Sequence, residues 1–534
     1  MEGCGKSTQV PQYILEGMKS IGCESQANIL VTQPRRVAAT SLAMRVSNER
    51  SSPAPGQKGS EVGYNVRLSK ATTDTTKITY CTVGVLLRML VNSPHQNCDE
   101  NLEENDCIDR KKSQKVPLSH VSHIIIDEVH ERDLNTDFAL TLLRPLLYKN
   151  QQISIILMSA TASSELFVNY FCNSNLEIEP KVLNIPGRTF PVETKWLVDC
   201  ERLLSKGMNG WNKEFPKKDI SNGNQRREDE TSLSPQTKSK IDNHFIAQLI
   251  KKVSEKQWNE ENSHQLYSNN DYKNCGAILV FLPGKGEIQS LSKILREDSS
   301  LGDKKKCSIL QLHSSLSSSD QWLAFQPVKF GTVKIILATN VAETSITIPD
   351  VSIVIDTGRV KESRFNSDTR VRELVTVWTS QASAKQRVGR AGRTGPGVCY
   401  KLYSEEFSQS MMLLQTPPEI VRTPLEELVL QVCLLKEHES NKGTSPMKFL
   451  SMAPEPPAQS RLEEACNHLL QIGALTSIFG DDEAMFRLTP LGYHLSHLPM
   501  DPKVGKVRHI IACMHMRLKS TECLLILIIL YLYL

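Results

Sequence analysis

The segment Ile124–His130 reads Ile-Ile-Ile-Asp-Glu-Val-His and is the clearest guide to the fold. Three consecutive β-branched residues predict a buried strand, and two adjacent carboxylates follow it directly. Carboxylates at the end of such a strand suit metal-dependent phosphoryl chemistry. In that chemistry Asp127 holds Mg²⁺, directly or through water, and Glu128 is also a predicted metal-site residue. Glu128 further orients and deprotonates the attacking water. The alternative interpretation is a strand followed by the acidic first turn of a helix.

A phosphate-binding pattern lies at the start of the chain, where residues 3–8 read Gly-Cys-Gly-Lys-Ser-Thr before a helical stretch. Glycines let backbone N–H groups approach phosphates, the lysine neutralises the β and γ oxygens, and the serine hydroxyl binds Mg²⁺. The first glycine of the full pattern and the strand that feeds it would precede Met1, and a fragment of this length also occurs by chance. The predicted nucleotide-binding residues here are Gly3, Cys4, Gly5, Lys6, Ser7 and Thr8.

Composition limits the class of protein. Lys and Arg total 63 against 59 Asp and Glu, a net charge of +4, so a phosphate-rich partner would be held by local patches. The 14 Cys form no C-x-x-C pair, which argues against a disulfide framework and indicates a reducing compartment, cytoplasmic or nuclear. Residues 1–11 resemble no secretory signal, and the apolar run 523–534 is shorter than the roughly 20 residues of a membrane span.

Short Val- and Ile-rich runs alternate with amphipathic stretches up to about residue 405, which predicts an α/β fold with parallel strands. The runs fall into two groups separated by polar segments at 202–240 and 259–274, and another polar insertion lies at 95–116. Between the polar segments at 202–240 and 259–274, Ile241–Val253 has the spacing of an amphipathic helix. Helical spacing dominates after residue 405. The clearest predicted strands are Ile29–Thr32, Lys77–Cys81, Ile124–Asp127, Ile153–Met158, Ala277–Leu282, Lys334–Ala338 and Ile353–Asp356.

With these motifs, the chain resembles the DEAH/RHA-type RNA helicases of superfamily 2. The segment Ile124–His130 contains the family's second motif, Asp-Glu-Val-His, and the other motifs follow in the family's order. They are similar to motif Ia at 32–39, motif Ib at 82–88, motif III at 159–161, motif IV at 281–284 with a short segment at 312–316, motif V at 339–345 and motif VI at 386–393.

The resemblance implies two tandem RecA-like P-loop NTPase lobes, a winged helix and the start of a helical ratchet domain. We place the lobes at 1–185 and 186–405, the winged helix at 406–489 and the partial ratchet region at 490–534. From about residue 507 the sequence leaves the family pattern, so we expect a chain truncated at both ends.

Motif VI carries arginines at 387, 390 and 393, which on a helix would crowd one side. Such crowding is unfavourable unless an anion lies between the charges; a solvated basic face is the alternative. By the resemblance, Arg390 and Arg393 reach the γ-phosphate from the second lobe and Gln386 positions water. Arg45 and Phe325 would sandwich the adenine, although Phe325 could equally belong to the core. His130 would hydrogen-bond across to the second lobe.

The resemblance also implies contacts with the backbone of RNA, without base specificity and with strong salt dependence. The candidates are Arg35, Arg36, Thr82 and Arg88 in the first lobe and Ser314, Thr339 and Thr344 in the second. Arg88 could equally be an ion-pair partner. The family favours a single-stranded 3′ tail and moves towards the 5′ end.

The sequence therefore predicts a monomeric, ATP- or NTP-dependent RNA helicase that uses Mg²⁺. A protein activator is compatible with this prediction. Two competing hypotheses remain open. One is a truncated RNA-binding fragment without NTP turnover, and the other is a DNA helicase with the same motifs.

Overall fold

The computed structural model describes residues 5–91, 118, 120–149, 153–160, 164–172, 179–185, 187, 190–205, 241–264, 276–329, 331–343, 348, 350–366, 371–437, 444–479, 484–498 and 500–517. The predicted insertion at 95–116 lies outside these residues, as do most of the insertions at 202–240 and 259–274 and the tail after residue 517.

The first lobe is built on a six-stranded sheet with the order β3-β2-β4-β1-β5-β6, parallel except for β3. Its strands are β1 (Ile29–Gln33), β2 (Val62–Val66), β3 (Ser69–Ala71), β4 (Ile78–Thr82), β5 (His123–Ile126) and β6 (Ser154–Leu157). Its helices are α1 (Lys6–Ser20), α2 (Arg36–Glu49), α3 (Val83–Val91), α4 (Leu134–Lys149) and α5 (Ser164–Phe171). Helices on both faces keep β1 and most of β5 buried, as expected for a parallel sheet.

The second lobe repeats this architecture with a parallel sheet of order β7-β14-β11-β8-β10-β9. Its sheet strands are β7 (Val192–Lys195), β8 (Ala277–Phe281), β9 (Cys307–Leu312), β10 (Val333–Ala338), β11 (Val351–Asp356) and β14 (Gly397–Lys401). An antiparallel hairpin is formed by β12 (Arg359–Asn366) and β13 (Val371–Trp378). The helices are α6 (Leu197–Ser205), α7 (Asn243–His264), α8 (Lys285–Glu297), α9 (Ser318–Leu323) and α10 (Gln381–Gly389). The prediction of two α/β lobes is confirmed.

The amphipathic helix predicted at 241–253 is α7, and its apolar side packs into the core of the second lobe. Leu249 and Val253 are buried there, with Ile241 and Phe245 packed against the same cluster. The helix continues to His264, and α6 reaches Ser205, so both predicted insertions begin later than expected.

The C-terminal module consists of helices and one antiparallel strand pair, β15 (Leu475–Phe479) with β16 (Ala484–Leu488). Its helices are α11 (Glu405–Met411), α12 (Glu419–Arg422), α13 (Glu426–Glu437), α14 (Pro446–Leu450), α15 (Gln459–Gln471), α16 (Pro490–His497) and α17 (Pro502–Arg517). Helices that end in a two-stranded wing match the predicted winged helix. Among the described residues, no helix has the length and apolar character needed to cross a membrane.

The C-terminal module and the first lobe share one hydrophobic cluster. The rings of Phe138 and Phe449 meet edge to face with centroids 6.0 Å apart. Beside them, the Tyr170 hydroxyl donates to the carbonyl of Met452 at 2.9 Å. The first lobe and the module are therefore packed as one unit.

Candidate active site

The phosphate-binding pattern forms the start of α1. Gly5 has φ of 74°, a left-handed conformation that glycine adopts without strain, and the helix begins at Lys6. The first turn of a helix presents unpaired N–H groups and the positive end of the dipole, which together attract anions. Gly3 and Cys4 lie outside the described residues. The Lys6 ammonium donates to the carbonyl of Ser159, just beyond β6.

Asp127 lies at the same sheet edge, where β5 ends. Its carboxylate is buried and accepts hydrogen bonds from Gln33 Nε2 at 2.7 Å and from the Glu128 N–H at 2.9 Å. Burial raises the pKa of Asp127, while hydrogen bonds from Ser7 and Gln33 oppose that shift. The sheet register places Thr32 beside Ile126, so Gln33 and Asp127 follow adjacent strands at one edge. The sequence analysis did not single out Gln33; its position at the carboxyl end of a strand was the available signal.

The donors at this edge fit Mg²⁺. Ser7 offers a hydroxyl and Asp127 a carboxylate, and the Ser7 hydroxyl acts to lower the pKa of Asp127. Mg²⁺ prefers such hard oxygen ligands and commonly takes only one or two from the protein, with water and substrate phosphates completing its coordination. No group of three or more His, Cys, Asp or Glu that could hold a metal occurs among the described residues.

His130, in motif II, contacts residues of both lobes. Its Nδ1 is 3.3 Å from the backbone N–H of Ala160. Its Nε2 is 2.7 Å from Nε2 of Gln386 in the second lobe, a side-chain nitrogen that can only donate. The Glu128 carboxylate is 3.5 Å from Nδ1. The prediction that His130 reaches across to the second lobe is confirmed.

The first arginine of motif VI has a structural role. Arg387 is fully buried, with ion pairs to Glu343 at 3.0 Å and Asp356 at 2.8 Å. These two carboxylates raise the pKa of Arg387 despite the burial. The prediction that the three arginines share one side of a helix is wrong, because α10 ends at Gly389.

Removing this cation should destabilise the second lobe. The substitution Arg387→Met leaves two buried carboxylates without their partner, which typically costs about 3–5 kcal/mol. We expect a lower midpoint of thermal unfolding than in wild type. Arg296→Met, at an exposed position on α8, serves as the control and should leave the midpoint within about a degree or two of wild type, as exposed substitutions typically do. Equal midpoints for Arg387→Met and wild type would contradict a structural role.

The second and third arginines follow α10. Arg390 caps the helix, is buried and donates to the carbonyl of Glu343. Arg393 is half-buried. Gln386, on α10 itself, contacts motif II of the first lobe. The role of Arg390 and Arg393 in reaching the γ-phosphate stays a prediction.

The two predicted adenine-binding residues belong to different lobes. Arg45 is on α2 and exposed, with its Nε 2.8 Å from Glu49. Phe325 is half-buried against the second lobe's core and tilts towards the ring of Trp322, with centroids 5.8 Å apart. Their joint role stays a prediction.

The predicted RNA contacts differ in exposure. Arg36, Arg88 and Ser314 are exposed, Thr82 is half-buried, and Thr344 lies outside the described residues. The buried hydroxyl of Thr339 caps the turn after β10 by accepting the N–H of Val341.

Arg35 crosses between the lobes instead of pointing only to solvent. Its guanidinium donates to two carbonyls of motif V, that of Asn340 at 3.2 Å and that of Val341 at 2.5 Å. The arginine predicted to contact RNA therefore also links motif Ia to motif V.

Comparisons with known families agree with this architecture. Residues 2–167 match the DEAD/DEAH box helicase family, residues 261–395 the helicase conserved C-terminal domain, and residues 467–500 the winged-helix helicase associated domain (HA2). The chain is 37% identical to ATP-dependent RNA helicase dhx29 of Xenopus laevis over 95% of its length, covering 36% of that protein. It is also 37% identical to DExH-box ATP-dependent RNA helicase DExH1 of Arabidopsis thaliana over 95% of its length, covering 47% of that protein. The chain spans roughly a third to a half of the length of these relatives.

Proposed function

Because this chain belongs to the DEAD/DEAH box helicases, and to their DEAH-box branch, we propose that it is an ATP-dependent RNA helicase. It would bind ATP or another NTP between the two lobes, hydrolyse it with Mg²⁺, and use the cycle to move 3′ to 5′ along single-stranded RNA and unwind duplexes.

One observation carries this proposal. The hydrogen bond between His130 and Gln386 joins motif II of one lobe to motif VI of the other. This contact supports a site in which the phosphate-binding and water-activating residues of the first lobe work with motif VI of the second lobe. A nucleotide bound there touches both lobes, so hydrolysis can change how the lobes are held together.

The roles of the side chains follow from their positions. The first turn of α1 and Lys6 bind the β- and γ-phosphates, and Glu128 takes the proton of the attacking water. Mg²⁺, when bound by Ser7 and Asp127, neutralises charge that develops on the phosphate oxygens. Gln386 positions the water, and the arginines of the second lobe stabilise the transferred phosphoryl group.

Packing suggests which part moves. The loop after motif II is tied to the C-terminal module: Arg132 pairs with Glu455 at 2.6 Å, and its carbonyl accepts the N–H of Glu419 at 3.0 Å. With the shared hydrophobic cluster, these contacts join the first lobe to the winged helix. The second lobe meets the first through polar contacts such as those of Arg35 and Gln386.

A cavity lies at this junction. Its volume is about 620 Å³, and its lining includes residues of both lobes and of the C-terminal module. Interfaces that are polar and loosely packed rearrange more readily than a continuous apolar core. We therefore assign the nucleotide-driven movement to the second lobe together with α11, whose Phe407 packs on Trp378, relative to a unit made of the first lobe and the winged helix.

The test is phosphate release by the wild-type chain, measured with malachite green with and without poly(U). We expect RNA to stimulate release, and the stimulation to fall steeply with salt because the contacts are to phosphates. Absence of release at saturating ATP would favour the RNA-binding fragment. Stimulation by single-stranded DNA equal to that by RNA would favour the DNA helicase. Duplexes with a 3′ or a 5′ tail then test the direction.

His130 should couple RNA binding to hydrolysis. In His130→Ala the hydrogen bonds to Ala160 and Gln386 are both lost, and each is worth about 1 kcal/mol. We expect RNA-stimulated turnover to fall about tenfold, since 1.4 kcal/mol is a factor of ten, while nucleotide affinity changes little. Adding Gln386→Ala to His130→Ala should lower turnover little further, because both substitutions remove the same contact. Fully additive losses in the double variant would argue against the bridge.

A further inference from the structure

The helix that carries the phosphate-binding residues contains a proline near its start. Pro11 lies in the second turn of α1, four residues after Ser7. Proline has no N–H, and its ring crowds the carbonyl of residue i−4. The Ser7 carbonyl therefore lacks the intrahelical donor that this position would normally have.

A tyrosine from the sheet supplies the missing donor. The hydroxyl of Tyr80, on β4, donates to the Ser7 carbonyl at 2.7 Å across 73 residues of sequence. The side chain of Tyr80 is fully buried. A ring held by β4 and the surrounding core can move little, so this hydrogen bond fixes where the first turn of α1 lies relative to the sheet.

Ser7 is also the residue whose hydroxyl meets Asp127. Its backbone carbonyl is held by Tyr80, and its side-chain hydroxyl is the group that it offers to the metal. Metal ligands depend on the groups that orient them, and losing such a group typically costs about 10- to 100-fold in affinity or activity.

We propose that Tyr80 is a positioning residue for magnesium-dependent nucleotide binding, which acts by replacing the hydrogen bond that Pro11 removes from the Ser7 carbonyl. The inference rests on the proposed function only in taking Mg²⁺–nucleotide as the ligand of this loop. The inference predicts that the hydroxyl oxygen of Tyr80, which lies outside every helicase motif of the sequence, controls how well Ser7 binds the metal.

The first test removes only that oxygen. Tyr80→Phe and wild type are compared by the fluorescence anisotropy of a fluorescent ADP analogue, titrated with Mg²⁺ and with EDTA. The readout is the ratio of the two dissociation constants, which a general loss of stability does not change. An unpaired buried carbonyl costs about 1–3 kcal/mol, so we expect the Mg²⁺-dependent gain in affinity to fall about fivefold or more.

The matched control is Tyr170→Phe. Tyr170 is also buried and also donates from its hydroxyl to a backbone carbonyl, that of Met452 at 2.9 Å, but away from the phosphate-binding loop. It should keep the wild-type ratio. An equal fall in both variants would show a general effect of losing a buried hydrogen bond and would overturn the inference.

The second test restores the donor. Pro11→Ala places an N–H where it can pair with the Ser7 carbonyl, so Tyr80→Phe should cost much less in that background than in wild type. The inference is overturned if Tyr80→Phe keeps the full Mg²⁺ dependence, or if its effect is the same in both backgrounds. A wild-type chain that binds no nucleotide would instead contradict the proposed function, so the two failures are distinguishable.

Discussion

Glu128→Gln is expected to abolish RNA-stimulated phosphate release while leaving nucleotide binding intact. The amide has the shape of the carboxylate but cannot take a proton from water, and loss of a general base typically costs about 10²- to 10⁴-fold in rate. Glu128 is well placed for this role, because it follows the buried carboxylate of Asp127 and has a left-handed backbone, with φ of 54°. A non-glycine residue in this region stores strain of about 1–3 kcal/mol, which is most often found at functional sites.

The measurement is initial-rate phosphate release at saturating ATP and poly(U), with binding of a fluorescent nucleotide analogue followed in parallel. Glu165→Gln makes the same chemical change at an exposed position on α5 of the same lobe and should retain wild-type turnover. If Glu128→Gln releases phosphate at the wild-type rate, Glu128 is not the base and the catalytic assignment is wrong.

Buried strands could be predicted from the sequence because they are short apolar runs. All seven of the clearest predicted strands are present, β1 and β8 among them, and both of these are buried along their whole length. Strands with exposed sides were missed. For example, β12 reads Arg-Val-Lys-Glu-Ser-Arg-Phe-Asn and is stabilised by pairing with β13, a partner that no local pattern identifies.

The chemistry of the site was predictable for a related reason. Lys6, Asp127 and Glu128 sit at element ends whose local sequence defines their geometry. Long-range contacts were not predictable in this way. The spacing of the motif VI arginines does not reveal that Arg387 turns to Glu343 and Asp356, and nothing near Arg35 in the sequence indicates the carbonyls of motif V.

The arginines that remain after Arg387 is assigned to the core should carry the contribution of the second lobe to catalysis. Arginine fingers raise phosphoryl-transfer rates by about 10³- to 10⁵-fold, because a guanidinium held in place stabilises charge on the transferring phosphoryl group. We therefore expect Arg393→Ala, and separately Arg390→Lys, to lower the maximal rate of RNA-stimulated ATP hydrolysis by about 10³-fold or more. Lysine is chosen at position 390 because it keeps a donor near the Glu343 carbonyl while losing the planar fork.

The design of this experiment separates catalysis from folding. Arg387→Met should lower the unfolding midpoint, whereas Arg393→Ala should keep it and lose turnover, because Arg393 is only half-buried. Arg202→Ala, at an exposed position on α6 of the same lobe, should change neither quantity. Single-turnover rates identify the step that is lost, since a finger acts on chemistry and not on nucleotide affinity. Wild-type single-turnover rates in both finger variants would mean that the second lobe supplies no charge to the reaction, and hydrolysis would then depend on the first lobe alone.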